Sequence, residues 1–199
     1  MVKVTLTEIK VLREKTGVGV QDCKEALQQS NGDFEKAIDF LRKKGTLKAQ
    51  KRADKIAING YIGSYIHNGR VGVLIELMCE TDFVARNEKF QKLANELALH
   101  IAAASPLYIQ KENVPKKVLE REKSIILDKV KGEKKPKNIL DKIAEGQLNK
   151  FYGEVCLMEQ VYVRDEKKTI RNLLEEALAS FGEKIEIRRF VRMDLGENS

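Results

Sequence analysis

The stretch Val71-Gly72-Val73-Leu74-Ile75-Glu76-Leu77-Met78-Cys79-Glu80-Thr81-Asp82-Phe83-Val84-Ala85-Arg86-Asn87 decides how this chain is read. In its first half, Val71, Val73, Ile75 and Leu77 recur at a period of two, the alternation of a half-buried strand. Beyond Asn87, the residues Phe90, Leu93, Ala94, Leu97, Ala98 and Ile101 recur at helical spacing, and Asn87 is a good N-cap. Thr81 to Val84 therefore sits at a strand-to-helix corner with both flanks fixed, the kind of connection that carries function on a rigid scaffold. Its residues are unusual for a turn. Asp82 is a charged acceptor, Phe83 and Val84 are adjacent and apolar, and neither Gly nor Pro is present. Two readings of Phe83 stand open: it folds back to cap the core, or it projects toward a partner.

Working outward, Gly60-Tyr61-Ile62-Gly63-Ser64-Tyr65-Ile66-His67 precedes Asn68-Gly69, a hairpin signal because both turn residues tolerate positive φ. The segment Lys184 to Met193 reads as a third strand whose alternation slips at Phe190, which hints at a bulge. These strands predict a small antiparallel sheet covered by helices. Ser105-Pro106 ends the helix after the corner. Val114-Pro115 opens a highly charged surface helix closed at Gly132, and Lys131 to Lys137 reads as a mobile loop. Further helices are expected over Ile139 to Phe151 and Thr169 to Ser180, with Val161 to Val163 extended between them.

The first 45 residues form a unit of their own. Thr5-Leu6-Thr7-Glu8 has capping-box spacing. It opens a helix that carries Leu6, Ile9 and Leu12 inward and stops at Gly17. A second helix spans Gln21 to Ser30, and a third carries Phe34, Ala37, Ile38 and Leu41 to a stop at Gly45. Gly17-Val18-Gly19-Val20 is not a phosphate loop, since no strand precedes it and no Gly-Lys-Ser/Thr follows. It reads as a turn with Val18 and Val20 partly exposed, either docking a partner or packing locally. The expected division is a three-helix module over 1–45, a basic linker helix over 46–58 and an α+β core over 59–199.

Composition narrows the function. The 199 residues carry a net charge of +7, and 42% are hydrophobic, enough for a sizeable core. The charge excess is local: Arg42, Lys43, Lys44, Lys48, Lys51, Arg52 and Lys55 face one acid, Asp54. This segment reads as a solvated linker helix or as a nucleic-acid contact. Against the second stand the absence of Trp and of interleaved aromatics for base stacking. Three dispersed cysteines form no Cys-x-x-Cys pair, which argues against disulfides and zinc and for a reducing cytoplasm. His100 lies beside the helical stripe with no ligand partner at metal spacing and reads as structural. No apolar run reaches membrane-span length, and no secretory signal opens the chain. No nucleophile elbow, dinucleotide fingerprint or metal cluster is present, so the chain reads as a binding protein without cofactor.

Several ordered motifs together resemble the bacterial elongation factor Ts family, the nucleotide exchange factors of elongation factor Tu. They are Thr16-Gly17-Val18-Gly19 with Asp22-Cys23-Lys24-Glu25-Ala26-Leu27, Gly32-Asp33 with Lys36-Ala37, Leu41-Arg42-Lys43-Lys44-Gly45, Glu80 through Asn87, and Gly182-Glu183-Lys184-Ile185 with Arg188-Arg189-Phe190. The resemblance implies a ubiquitin-associated-like N-terminal module, a linker and an α+β core. It implies that Thr81, Asp82, Phe83 and Val84 dislocate Mg²⁺ from the G domain of elongation factor Tu, with Phe83 as wedge and Asp82 as its polar anchor. It makes Arg13 and Val20 candidate contacts of the N-terminal module, although Val20-Gln21 replaces the paired methionines common in the family. Longer members have two core halves and this chain has one, so the resemblance implies a homodimer that binds elongation factor Tu without touching nucleotide.

Overall fold

The computed structural model describes residues 4–51, 54–131 and 137–197. Three helices come first: α1 (Leu6–Thr16), α2 (Val20–Gln29) and α3 (Phe34–Lys51). The Thr5–Glu8 capping box forms at the start of α1, with the Glu8 carboxylate 2.7 Å from the Thr5 amide. Ile9, Leu12, Val18, Cys23, Ala26, Leu27, Ala37 and Leu41 form the buried centre of this module. Two details differ from the sequence reading. Leu6 is 84% exposed, because successive three-residue steps drift around the helix and carry the first away from the third. Val18 is buried in the module core, so that of the two valines in the turn only Val20, at the start of α2, faces solvent.

The third helix does not stop at Gly45 but continues to Lys51. Gly45 is a packing residue: a Cβ there would lie 3.5 Å from the Ala179 Cβ and the Glu175 carbonyl of a later helix. A methyl at that distance would make ordinary van der Waals contact, so the two helices pack closely around Gly45 without overlapping the space of a Cβ. The expected basic linker helix over 46–58 is helical only as an extension of α3 to Lys51: residues 54–58 form no helix, and residues 52 and 53 lie outside the described residues.

The core is built on β1 (Asn59–His67), β2 (Val71–Cys79) and β5 (Glu186–Asp194), antiparallel in the order β1-β2-β5. Asn68 and Gly69 turn the hairpin with φ of 49° and 67°. Opposite Glu76 stands Arg189, and opposite Leu77 stands Ile187, which leaves Arg188 as an extra residue. This bulge lies two residues before the slip read at Phe190. Its effect is to place Ile187 and Phe190, three apart, on one core-facing side that regular alternation would deny them.

One turn of helix, α4 (Asp82–Ala85), leads from β2 into α5 (Glu88–Ala104). Phe90, Ala94, Leu97, Ala98 and Ile101 of α5 are fully buried against Val73, Ile75 and Leu77 of β2. The remaining elements are α6 (Lys116–Lys131), α7 (Lys137–Val155), the short hairpin β3 (Val161–Tyr162) and β4 (Asp165–Thr169), and α8 (Ile170–Phe181). Both α6 and α7 lie where helices were expected, while the loop read over Lys131 to Lys137 falls largely outside the described residues. Ile170, Leu174 and Ala177 of α8 complete the core. His100 is buried and structural. Its Nδ1 accepts from the Val163 amide, and its Nε2 meets the Gln160 Oε1 at 3.0 Å. Gln160 in turn donates to the Ala104 and Glu154 carbonyls. Burial holds the His100 pKa below that of a free imidazole.

Candidate functional site

The corner after β2 is compact. Thr81 adopts an extended backbone and caps α4, and Asn87 caps α5 by accepting from the Lys89 amide at 2.9 Å. Consecutive helical residues lie about 100° apart, so neighbours must face different ways. Val84 and Ala85 turn inward and pack on the core cluster. Phe83 turns outward and is 84% exposed. Of the two readings open in the sequence, core capping is therefore not what the fold does. Asp82 also faces outward and pairs with Arg86 at 3.1 Å, one turn on. That pair is exposed and worth little by itself.

What holds the corner comes from far along the chain. Glu183 follows Gly182, the left-handed cap of α8. Its Oε2 accepts from the amides of Glu80 and Thr81 at 3.1 and 3.0 Å, and its Oε1 accepts from the Thr81 hydroxyl at 2.6 Å. In return, the Glu80 carboxylate accepts from the Lys184 amide at 2.6 Å. The Cys79 thiol donates to the Thr81 carbonyl at 3.2 Å. Burial, with the Glu183 charge second, pushes the Cys79 pKa up to about 11, so this thiol stays protonated and unreactive. Sequence reasoning gave no role to Glu183, Glu80 or Cys79. The only available signal was that both glutamates fall inside motifs that resemble the family.

The N-terminal candidates flank the Gly17 turn, Arg13 in the last turn of α1 and Val20 opening α2, and both are exposed. This turn touches the same end of α8 as the corner: the Ser180 hydroxyl donates to the Gly17 carbonyl at 3.0 Å. The segment Ser180–Lys184 thus contacts both candidate regions.

Elsewhere the basic segment is partly neutralised. Lys44 pairs with Asp22 at 2.9 Å and with Glu25, and Arg42 lies 3.5 Å from Glu176. The side chains of Lys48, Lys51 and Arg52 lie outside the described residues. Among the described residues no group of His, Cys, Asp and Glu converges on a metal-binding geometry, and no helix is long and apolar enough to cross a membrane.

Comparison with known proteins agrees with this architecture. The family model described as "Elongation factor TS" matches residues 20–197. The elongation factor Ts of Geobacter metallireducens is 54% identical over 195 residues, covering 98% of this chain and 90% of that protein. That of Geotalea daltonii is 53% identical with the same coverage. The elongation factor Ts of Thermodesulfovibrio yellowstonii is 50% identical over 194 residues, covering 98% of this chain and 97% of the relative. With the match running through the module, the corner and the last strand, this chain belongs to the elongation factor Ts family.

Proposed function

We propose that the chain is a guanine nucleotide exchange factor that binds GDP-loaded elongation factor Tu, expels GDP and holds the nucleotide-free form until GTP enters. One observation carries this reading: an exposed phenyl ring stands on a one-turn helix whose next two residues are packed into the core. A ring on a yielding loop would fold away under load. Phe83 on this base can be driven into a partner.

GDP is held on such a GTPase chiefly by phosphate contacts and Mg²⁺. Burying a phenylalanine in a partner cleft yields roughly 1.5–3 kcal/mol, which offsets part of the cost of moving the elements around the metal. In this mechanism Phe83 enters as the wedge, Asp82 is its polar anchor, Thr81 and Val84 complete the segment that carries it, and loss of Mg²⁺ loosens the phosphates. Arg13 and Val20 dock the N-terminal module, residues 1–45, on a second part of the same GTPase. The coupling is reciprocal: GDP weakens factor binding by the ratio in which the factor weakens GDP. No covalent step occurs in the factor, which touches no nucleotide.

The core, residues 59–199, would also pair with a second copy. Toward the Asn68-Gly69 hairpin end, the sheet face away from α5 is uncovered among the described residues. Ile62, Ile66, Leu74, Val191 and Met193 are all exposed on it, with Leu74 opposite Val191 in the register. A cluster of this kind marks an interaction surface.

The test is release of a fluorescent GDP from elongation factor Tu with and without the factor, at millimolar Mg²⁺ and again with chelator. Acceleration that is large with Mg²⁺ and nearly lost in chelator supports metal dislocation. Equal acceleration in both contradicts it, and none in either contradicts the exchange function. Sedimentation of Leu74→Glu against the unmodified chain tests the dimer: the variant is expected to be monomeric, and an unchanged mass would exclude this face.

A further inference from the structure

A single helical turn does not hold itself together in water, because nucleation fixes several residues for one hydrogen bond. Within α4 the bonds at the N-terminal side are long, 3.3 Å from the Ala85 amide to the Thr81 carbonyl and 3.5 Å from the Val84 amide to the Thr81 hydroxyl oxygen, and one bond of ordinary length, 3.0 Å from the Arg86 amide to the Asp82 carbonyl, closes the turn. The orientation of Phe83 must be set from outside this turn. We propose that Glu183 is the positioning residue of the Phe83 corner. Its carboxylate gathers two successive amides and a hydroxyl and so fixes the angle at which the ring meets the partner. This proposal rests on the reading of Phe83 as the partner-inserting group.

Three properties of the arrangement support it. First, the contacts are charge-assisted, one carboxylate taking three donors at 3.1, 3.0 and 2.6 Å, and such bonds are stronger and more directional than neutral ones. Second, the Thr81 hydroxyl gives its proton to Glu183, which turns its lone pairs toward the Val84 amide. The carboxylate therefore also sets the cap of α4. Third, the bond from the Lys184 amide to Glu80 closes the pairing from the other side. Two chain segments about a hundred residues apart are thereby locked, and the corner takes its reference from α8 as well as from β2. Because α8 is bedded in the core by Ile170, Leu174 and Ala177, that reference is stiff. A wedge held in its working orientation before contact loses less freedom on insertion, so more of its burial energy acts on the partner.

Glu183 faces the corner and is not assigned a contact with the GTPase. Its loss is thus expected to lower the maximal rate of GDP release at saturating factor, while the half-saturating concentration, set largely by docking elsewhere, moves little. A merely structural role predicts the reverse: a partly unfolded population raises the half-saturating concentration and leaves the maximal rate alone.

The experiment is stopped-flow release of fluorescent GDP from elongation factor Tu, titrated with the full chain and with Glu183→Ala, Glu183→Gln, Phe83→Ala and the Phe83→Ala/Glu183→Ala double variant. For Glu183→Ala, which removes all three contacts of the carboxylate, the maximal rate is expected to fall about tenfold or more, with half-saturation within about twofold. Glu183→Gln keeps a carbonyl oxygen for the two amides and is expected to recover most of the rate. The double variant is expected to be no slower than Phe83→Ala alone. Amide exchange of the 81–85 segment is expected to accelerate in Glu183→Ala while that of α5 does not. Should Glu183→Ala fail to fold, Glu183→Asp, which withdraws the carboxylate by one methylene, takes its place with the same readouts. A full maximal rate, unchanged exchange at the corner, or additive losses in the double variant would each overturn the positioning role. Full activity of Phe83→Ala would overturn the wedge reading itself, and the two failures are read from different variants.

Discussion

The Phe83 corner and the Gly17 turn are both exposed, apolar-tipped connections, yet they are held in different ways. The corner stands on the larger core cluster and is cross-braced by Glu183 from the end of α8. The Gly17 turn stands on the separate cluster of the N-terminal module, around Leu12, Cys23 and Leu27. The turn itself meets the core through the Ser180 hydroxyl, while α3 of the module packs along α8, with Ala179 against the module cluster and Arg42 beside Glu176. The single hydroxyl contact of the turn can be remade at low cost, whereas a braced corner on a packed core resists displacement. The contrast fits a division in which one surface finds and grips the partner and the other deforms it.

Breaking one cluster should leave the other standing, and this is the sharpest way to test the comparison. The largest effect is expected from Phe90→Ala. Phe90 is fully buried beneath the corner, edge-on to Phe181 with ring centres 5.9 Å apart. Its truncation is expected to cost about 3–5 kcal/mol and to unfold the core before the module, as followed by hydrogen exchange. Leu12→Ala is expected to cost about 2–4 kcal/mol in the module alone, raising exchange in α1 to α3 while the amides of Thr81 to Ala85 keep their protection. Equal loosening of both regions by either variant would show one cooperative unit.

Acid should separate the same two regions. His100 is buried in the core with its pKa depressed, and no histidine lies in the module. A depressed imidazole costs the native state nothing while it is neutral in both states. As pH falls below about 6.5 the unfolded chain takes up a proton that the core refuses, so core stability drops until the folded pKa is reached. Thermal melts from pH 7 to pH 5 are expected to lose core stability, with the slope reduced in a variant lacking the imidazole. The smallest effect is expected at the joint. In Gly45→Ala the new methyl meets neighbours at ordinary contact distance, so the gain in helix propensity, about 0.5–1 kcal/mol, should appear as added stability of α3. Destabilisation there would mean that the module and α8 lie closer than described.

Much of this was legible in the sequence because it is periodic or capped. The alternation over Val71–Leu77, the stripe from Phe90 to Ile101, the Asn68-Gly69 turn and the Thr5 capping box all appear where local rules place them. Leu6 is misplaced by helical drift alone, but two other errors share a tertiary cause. Gly45 looked like a helix stop because a local rule cannot see Ala179 and Glu175 of α8 packing beside it. The bulge fell at Arg188 and not at Phe190 because the pairing with Glu76 and Leu77 decides it. At the candidate site, spacing fixed the corner but left the direction of Phe83 open, since adjacent apolar residues at a one-turn helix can divide either way. Glu183 carries no local signal at all, for its partners lie 102 and 103 residues away.

The central claim is that Phe83 performs work on the partner from a base that does not move. The most direct measurement is the maximal rate of fluorescent GDP release from elongation factor Tu at saturating Phe83→Ala, with the melting temperature of the variant recorded alongside. The expected result is a loss of roughly 10- to 150-fold, the rate equivalent of the burial energy of one phenyl ring, with melting unchanged because the ring touches no core. An undiminished rate, or a loss explained by a melted core, would contradict the account.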